Sequence, residues 1–176
     1  TGDVKVGGNY AATILPQMEA AKRGYAQVLW LFGEEQQVTE VGCMNFFVLW
    51  QNEAGEKELV TAPLDGTILP GITRNSVIEL AKGWGDFKVS ERKFTMPELA
   101  KAIDEDRVIE AFGTGTAAIV SPINGICYNN KDYVVPLGES PKEGAVCGEV
   151  TQKVWDTITG IQYGKISHEN WSVVVE

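Results

Sequence analysis

Residues 38–50 read VTEVGCMNFFVLW, a largely apolar run whose valine, phenylalanine and tryptophan content is that of a β-strand. QNEAGEKE (51–58) follows as a polar hairpin loop, and ELVTAP (58–63) returns as the partner strand. Working outward, AQVLWLF (26–32) is another apolar run of strand length, set off by the polar turn GEEQQ (33–37). RVIEAFGTGTAAIVSP (107–122) reads as strand, glycine turn, strand; DFKVSERKF (86–94) and DYVVP (132–136) add shorter strands.

Helical periodicity lies between these strands. NYAATILPQMEAAKR (9–23) sets Ala11, Ile14, Leu15, Met18 and Ala21 on one face, with Gly24 as the stop, and Pro16 predicts a kink or a late start. LPGITRNSVIELAKGWG (69–85) is a Pro-Gly turn feeding an amphipathic helix. At 95–99, TMPEL carries a capping box, Thr95 with Glu98, and Pro97 sits in the first turn, where its missing N–H costs nothing. PKEGAVCGEVTQKVWDTITG (141–160) is a final helix weakened by Gly144 and Gly148. The pattern is mixed α/β (α+β), many short strands with a few helices in one compact unit.

Composition narrows the function. The net charge of −9 argues against nucleic acid and against anionic membrane surfaces, both of which are held by clustered Lys and Arg. No apolar run approaches the ~20 residues of a membrane helix. The three cysteines, Cys43, Cys127 and Cys147, suggest neither a disulfide framework nor a zinc site, and point to a reducing compartment. His168 is the only histidine, so a multi-histidine metal centre is ruled out, and no metal is expected.

Four stretches carry chemistry. In VKVGGNY (4–10), Gly7 and Gly8 permit a sharp turn that aims Lys5 and Tyr10 into one cleft; a solvated surface lysine is the alternative. The turn GIT (71–73) opens a helix, so it is either a plain N-cap or a phosphate cradle of free amides plus the Thr73 hydroxyl. GTGTAA (113–118) is either a tight hairpin or a set of amides and hydroxyls facing an anion; it lacks the spacing of a nucleotide P-loop. Glu40 either faces solvent or, if buried, needs a partner. An amine for an aldehyde, a carboxylate for a pyridine nitrogen and amides for a phosphate together describe pyridoxal 5'-phosphate.

With these residues in view, the chain resembles the branched-chain amino acid aminotransferases of fold type IV. VKVGGNYAAT (4–13), VLWLFGEEQQVTEVGCMNFFV (28–48), PLDGTILPGITR (63–74), KVSERKFTM (88–96), FGTGTAA (112–118) and IQYG (161–164) carry the likeness. The resemblance implies a pseudo-barrel of short strands surrounded by helices. It also implies that residues 1–176 form the large, C-terminal, cofactor-binding domain, the family's small N-terminal domain being absent. By position, Lys5 matches the catalytic Schiff-base lysine, and Tyr10 matches the tyrosine at the cofactor's ring oxygen, near the substrate carboxylate. Glu40 matches the carboxylate facing the pyridine nitrogen. Leu69, Ile72 and Thr73 match the ring- and phosphate-side turn, and Thr116 the hydroxyl closing the phosphate cup. The backbone of Thr116, Ala117 and Ala118 matches the segment receiving the substrate's α-carboxylate.

The resemblance further implies branched-chain amino acids and 2-oxo acids as substrates, 2-oxoglutarate as amino acceptor, and a homodimer in the cytoplasm or the mitochondrial matrix. D-amino acid transamination, or a non-catalytic phosphate-ligand binding or dimer-scaffold fragment, are the alternatives. The chain departs from the family in two respects: Cys43 stands where many members have threonine, and Ala118 and Ser121 stand where vertebrate members carry a Cys-x-x-Cys pair, so that pair's redox switch should be absent.

Overall fold

The computed structural model describes residues 1–141 and 143–173. Its centre is β3 (Met44–Gln51). Successive side chains of β3 enter opposite cores: Phe46, Val48 and Trp50 join one cluster of buried residues, Phe47 and Leu49 the other. That is why this strand reads as a continuous apolar run rather than an alternating one.

Three strands pair directly with β3. The stretch 38–50 is not one strand: β2 (Gln37–Val41) turns through Gly42 and Cys43 into β3, with Glu40 opposite Asn45 and Val41 opposite Met44. Gly42 has φ +58, the left-handed conformation that so tight a hairpin requires. β4 (Lys57–Thr61) pairs antiparallel with Phe47–Gln51 of β3. β6 (Val108–Gly115) pairs with Asn45–Trp50. β1 (Leu29–Phe32) lies on β2, β5 (Lys88–Glu91) runs parallel to β4, and β7 (Ile119–Ile123) closes a hairpin with β6, giving a seven-stranded sheet. A separate hairpin, β8 (Gly125–Tyr128) with β9 (Lys131–Val134), turns on Asn129 and Asn130, both at positive φ.

Helices cover both faces. α3 (Ile72–Trp84) and α5 (Glu149–Gln162) place Val77, Ile78, Ala81, Val154 and Ile158 against Phe47, Leu49 and Phe112. α4 (Met96–Asp104) lays Met96, Leu99 and Ala100 on the Phe46 side, and its capping box is formed as expected by Thr95 and Glu98. The mixed α/β class expected from the sequence is the class observed.

The late start that Pro16 predicts is observed, and two local expectations are corrected. The helix over 9–23 is two pieces, α1 (Gly7–Ala11) and α2 (Ile14–Lys22), broken at Ala12 and Thr13 so that Pro16 falls in the first turn of α2. Neither piece has a buried residue, and Ile14, Leu15 and Met18 are exposed. The final helix starts only at Glu149, because Gly148 is its N-cap and Gly144, at φ +76, lies in the preceding loop.

Candidate functional site

The β2–β3 hairpin carries Glu40 to the end of the sheet, beside the turn that starts α3. There its Oε1 accepts from the Leu69 N–H at 3.0 Å and from Asn45 Nδ2 at 3.2 Å. Its second oxygen has no hydrogen-bond partner among the described residues. Burial pushes the Glu40 carboxyl above its ordinary range, and the Leu69 N–H pulls it part of the way back. Glu40 lines a cavity of about 520 Å³ together with Tyr10, Trp30, Cys43 and Leu69. Of the two readings of Glu40, the half-buried, partnered one is observed.

The start of α3 is uncapped. Gly71 is its N-cap, no side chain closes it, and no acidic residue lies in its first turn. The N–H groups of Ile72, Thr73 and Arg74 therefore face outward with the positive end of the helix. Ile72 is exposed and Thr73 half-buried. Arg74 is buried; its Nη2 donates to the Ala62 carbonyl at 2.8 Å and to Glu91 at 2.9 Å, fixing the first turn to the β4–β5 edge.

Thr116, Ala117 and Ala118 form the turn between β6 and β7. The next residue, Ile119, has φ +58, a strained conformation for a β-branched side chain. Just before the turn, Thr114 is buried with its hydroxyl unpartnered. Thr114 lies directly opposite Asn45, so both side chains stand on the sheet face that packs against α3.

Lys5 is exposed, in the segment before α1, and does not itself line the cavity; Gly2, Asn9 and Tyr10 on either side of it do. Asn9 holds that segment, donating from Nδ2 to the carbonyls of Thr1 at 2.6 Å and Val4 at 2.9 Å. Gly7 and Gly8 do not make the expected sharp turn; they begin α1, with open space where a Cβ would stand. The close approach falls on Gly2 instead, where a Cβ would lie 2.4 Å from the Thr67 carbonyl. The cavity thus unites Tyr10, Glu40 and Leu69, while Ile72, Thr73 and Thr116–Ala118 lie outside its lining. Sequence reading missed Gly2, Asn9 and Asn45: Gly2 and Asn45 act through distant residues, Thr67 and Leu69, and Asn9 through side-chain bonds to Thr1 and Val4 that carry no sequence signature.

Chemically, the set suits a ligand with a hydrogen-bond donor at one end, for the free Glu40 oxygen, and a dianion at the other, for the uncapped helix. No helix among the described residues is long and apolar enough to cross a membrane.

Residues 3–126 match the model of the family described as amino-transferase class IV. A branched-chain-amino-acid aminotransferase of Dictyostelium discoideum is 55% identical over 177 residues, covering 100% of this chain and 45% of its own length. Relatives of Schizosaccharomyces pombe and Mus musculus are named as mitochondrial and cytosolic forms of that enzyme. A branched-chain amino acid aminotransferase of Escherichia coli superposes with a TM-score of 0.75 at 28% identity, over 98% of this chain and 48% of that one. That of Thermobaculum terrenum, solved in its PLP (holo) form, gives 0.73 at 27% identity, over 94% and 46%. The chain spans under half the length of the curated relatives it matches.

Proposed function

This chain belongs to the class IV aminotransferase family, and from that premise we propose that the whole protein transfers the amino group of leucine, isoleucine or valine to 2-oxoglutarate. Pyridoxal 5'-phosphate is the cofactor, and the present residues make up the large domain. A smaller N-terminal domain and a second copy of the protein complete the working enzyme, in the cytoplasm or the mitochondrial matrix.

The observation that carries this reading is Glu40: a half-buried carboxylate with one oxygen tied to the frame and the other free, beside an uncapped helix N-terminus. When bound, the cofactor supplies an electron sink for the substrate's α-carbon, provided its ring nitrogen is protonated. The free Glu40 oxygen accepts that N–H and holds the proton in place. The α3 amides at Ile72 and Thr73, with the Thr116 hydroxyl, take the phosphate, and Leu69 and Ile72 bound the ring. The Lys5 amine anchors the cofactor and then carries the α-proton away from the substrate and back. Tyr10 hydrogen-bonds the ring oxygen, and the Ala117 and Ala118 amides receive the substrate carboxylate.

Borohydride reduction of the cofactor-loaded full-length protein tests this. The cofactor's mass should appear on the peptide containing Lys5; its appearance only on other lysines rejects the assignment. Incubation with L-leucine or D-alanine, followed by assay of the 2-oxo acids, distinguishes branched-chain from D-amino acid transamination. Labelling without turnover of either substrate supports the binding-only alternative.

A further inference from the structure

We infer that Asn45 is the positioning residue of this site: its carboxamide locks the Glu40 carboxylate to the turn that opens α3. This rests on the roles proposed above for Glu40 and for that turn. Asn45 is only 4% exposed and stands opposite Glu40 in the β2–β3 register, so the two side chains share a face. Its Nδ2 donates to Glu40 Oε1 at 3.2 Å and to the Leu69 carbonyl at 2.9 Å. The Leu69 N–H in turn donates to the same Glu40 oxygen at 3.0 Å. A closed ring results, in which the carboxamide binds the acid and the Leu69 carbonyl while the acid binds the Leu69 N–H.

The chemistry demands a carboxamide. Both partners of Nδ2 are acceptors, so the amide cannot be flipped, and aspartate would set a third acceptor against them. Leucine would fill the volume and donate nothing. On the opposite side, Asn45 Oδ1 occupies the place a side chain at Gly71 would need: a Cβ there would lie 2.2 Å away. Asn45 thus touches the acid and the N-cap of α3 together, and it fixes the distance between the nitrogen end and the phosphate end of a bound ligand. It also leaves the second Glu40 oxygen as the one that can turn to the ligand.

The test uses the full-length protein loaded with pyridoxal phosphate. Asn45→Ala should weaken cofactor binding about tenfold, as loss of a hydrogen bond to a charged group does. It should also move downward the pH at which the bound cofactor's ring nitrogen loses its proton, read from visible absorbance, because a looser Glu40 holds that proton less well. It should lower kcat while leaving KM for the amino donor within about threefold. In a Glu40→Gln background the same substitution should cost far less, since the two residues act as one unit. Asn45→Ser, which keeps one donor, should fall between and serves if the alanine variant folds poorly. An unmoved midpoint, or an equal loss of binding in both backgrounds, would show Asn45 to be only a packing residue and overturn the inference. If Lys5 is labelled by borohydride in that case, the positioning role alone fails; if Lys5 is unlabelled, the functional reading fails with it.

Discussion

Glu110 caps helix α5 from another element: Thr151 gives its carboxylate both a backbone N–H at 2.9 Å and a hydroxyl at 2.6 Å. The Val150 N–H adds a third bond at 2.9 Å, and Gly148, the N-cap, contributes none. Glu110 lies opposite Leu49 and two residues before Phe112, so ordinary strand alternation puts it on the sheet face against which α5 packs. Gly148 is glycine because Glu110 fills its side-chain space: a Cβ there would meet the carboxylate at 2.3–2.8 Å. Gly148→Ala should therefore destabilise the chain by about 2 kcal/mol through overpacking. Its φ of −74 is ordinary for alanine, so backbone strain contributes nothing. Denaturant midpoints check this, and an unchanged midpoint would put the carboxylate elsewhere.

Glu40 predicts a pH dependence of opposite sense to that of most carboxylates. Its folded-state value is raised by burial above the ordinary 4.5, so the folded chain holds this proton more tightly than the unfolded one. The stability it contributes is full below 4.5 and is lost as pH rises through the raised value. Glu40→Gln should flatten the thermal stability of the cofactor-free chain over that window. In the loaded enzyme the same variant should lose turnover far more than cofactor affinity, because glutamine carries no charge to hold the ring proton. Equal turnover would count against the role.

Glu58 behaves conversely. Burial alone would push it up, but hydrogen bonds from Arg92, Ser90 and Trp50 outweigh that and hold it at about 2. The stability from Glu58 is present above 4.5 and is lost as pH falls toward 2. Arg92→Ala removes the contacts at 3.0 and 3.3 Å, and should cost about 2 kcal/mol at neutral pH. It should also lessen the acid loss, because Glu58 then titrates nearer its unfolded value. Thermal melts from pH 2 to 7 read both effects.

Lys5 should separate chemistry from folding. Its side chain is exposed, so Lys5→Ala should change stability by less than about 0.5 kcal/mol. Borohydride-stable attachment of the cofactor and transamination should both disappear. Persistent attachment would move the anchoring amine to another lysine.

The sequence by itself determined the elements whose signals are local. The strand character of 38–50, the Thr95–Glu98 capping box and the Gly71 start of α3 follow from neighbouring residues, and each is observed, the first as two strands. The resemblance carried by VKVGGNYAAT, PLDGTILPGITR and FGTGTAA pointed to the family before any contact was known. Tertiary structure alone decided that 38–50 folds back at Gly42, that Glu110 caps a helix forty residues onward, and that Asn45 joins Glu40 to Leu69. It alone also left the apolar face of α2 uncovered, against the burial its periodicity suggests. The reason is physical. Propensity and capping act within a few residues along the chain, whereas the partner of a buried polar group is whatever the fold brings within hydrogen-bond reach.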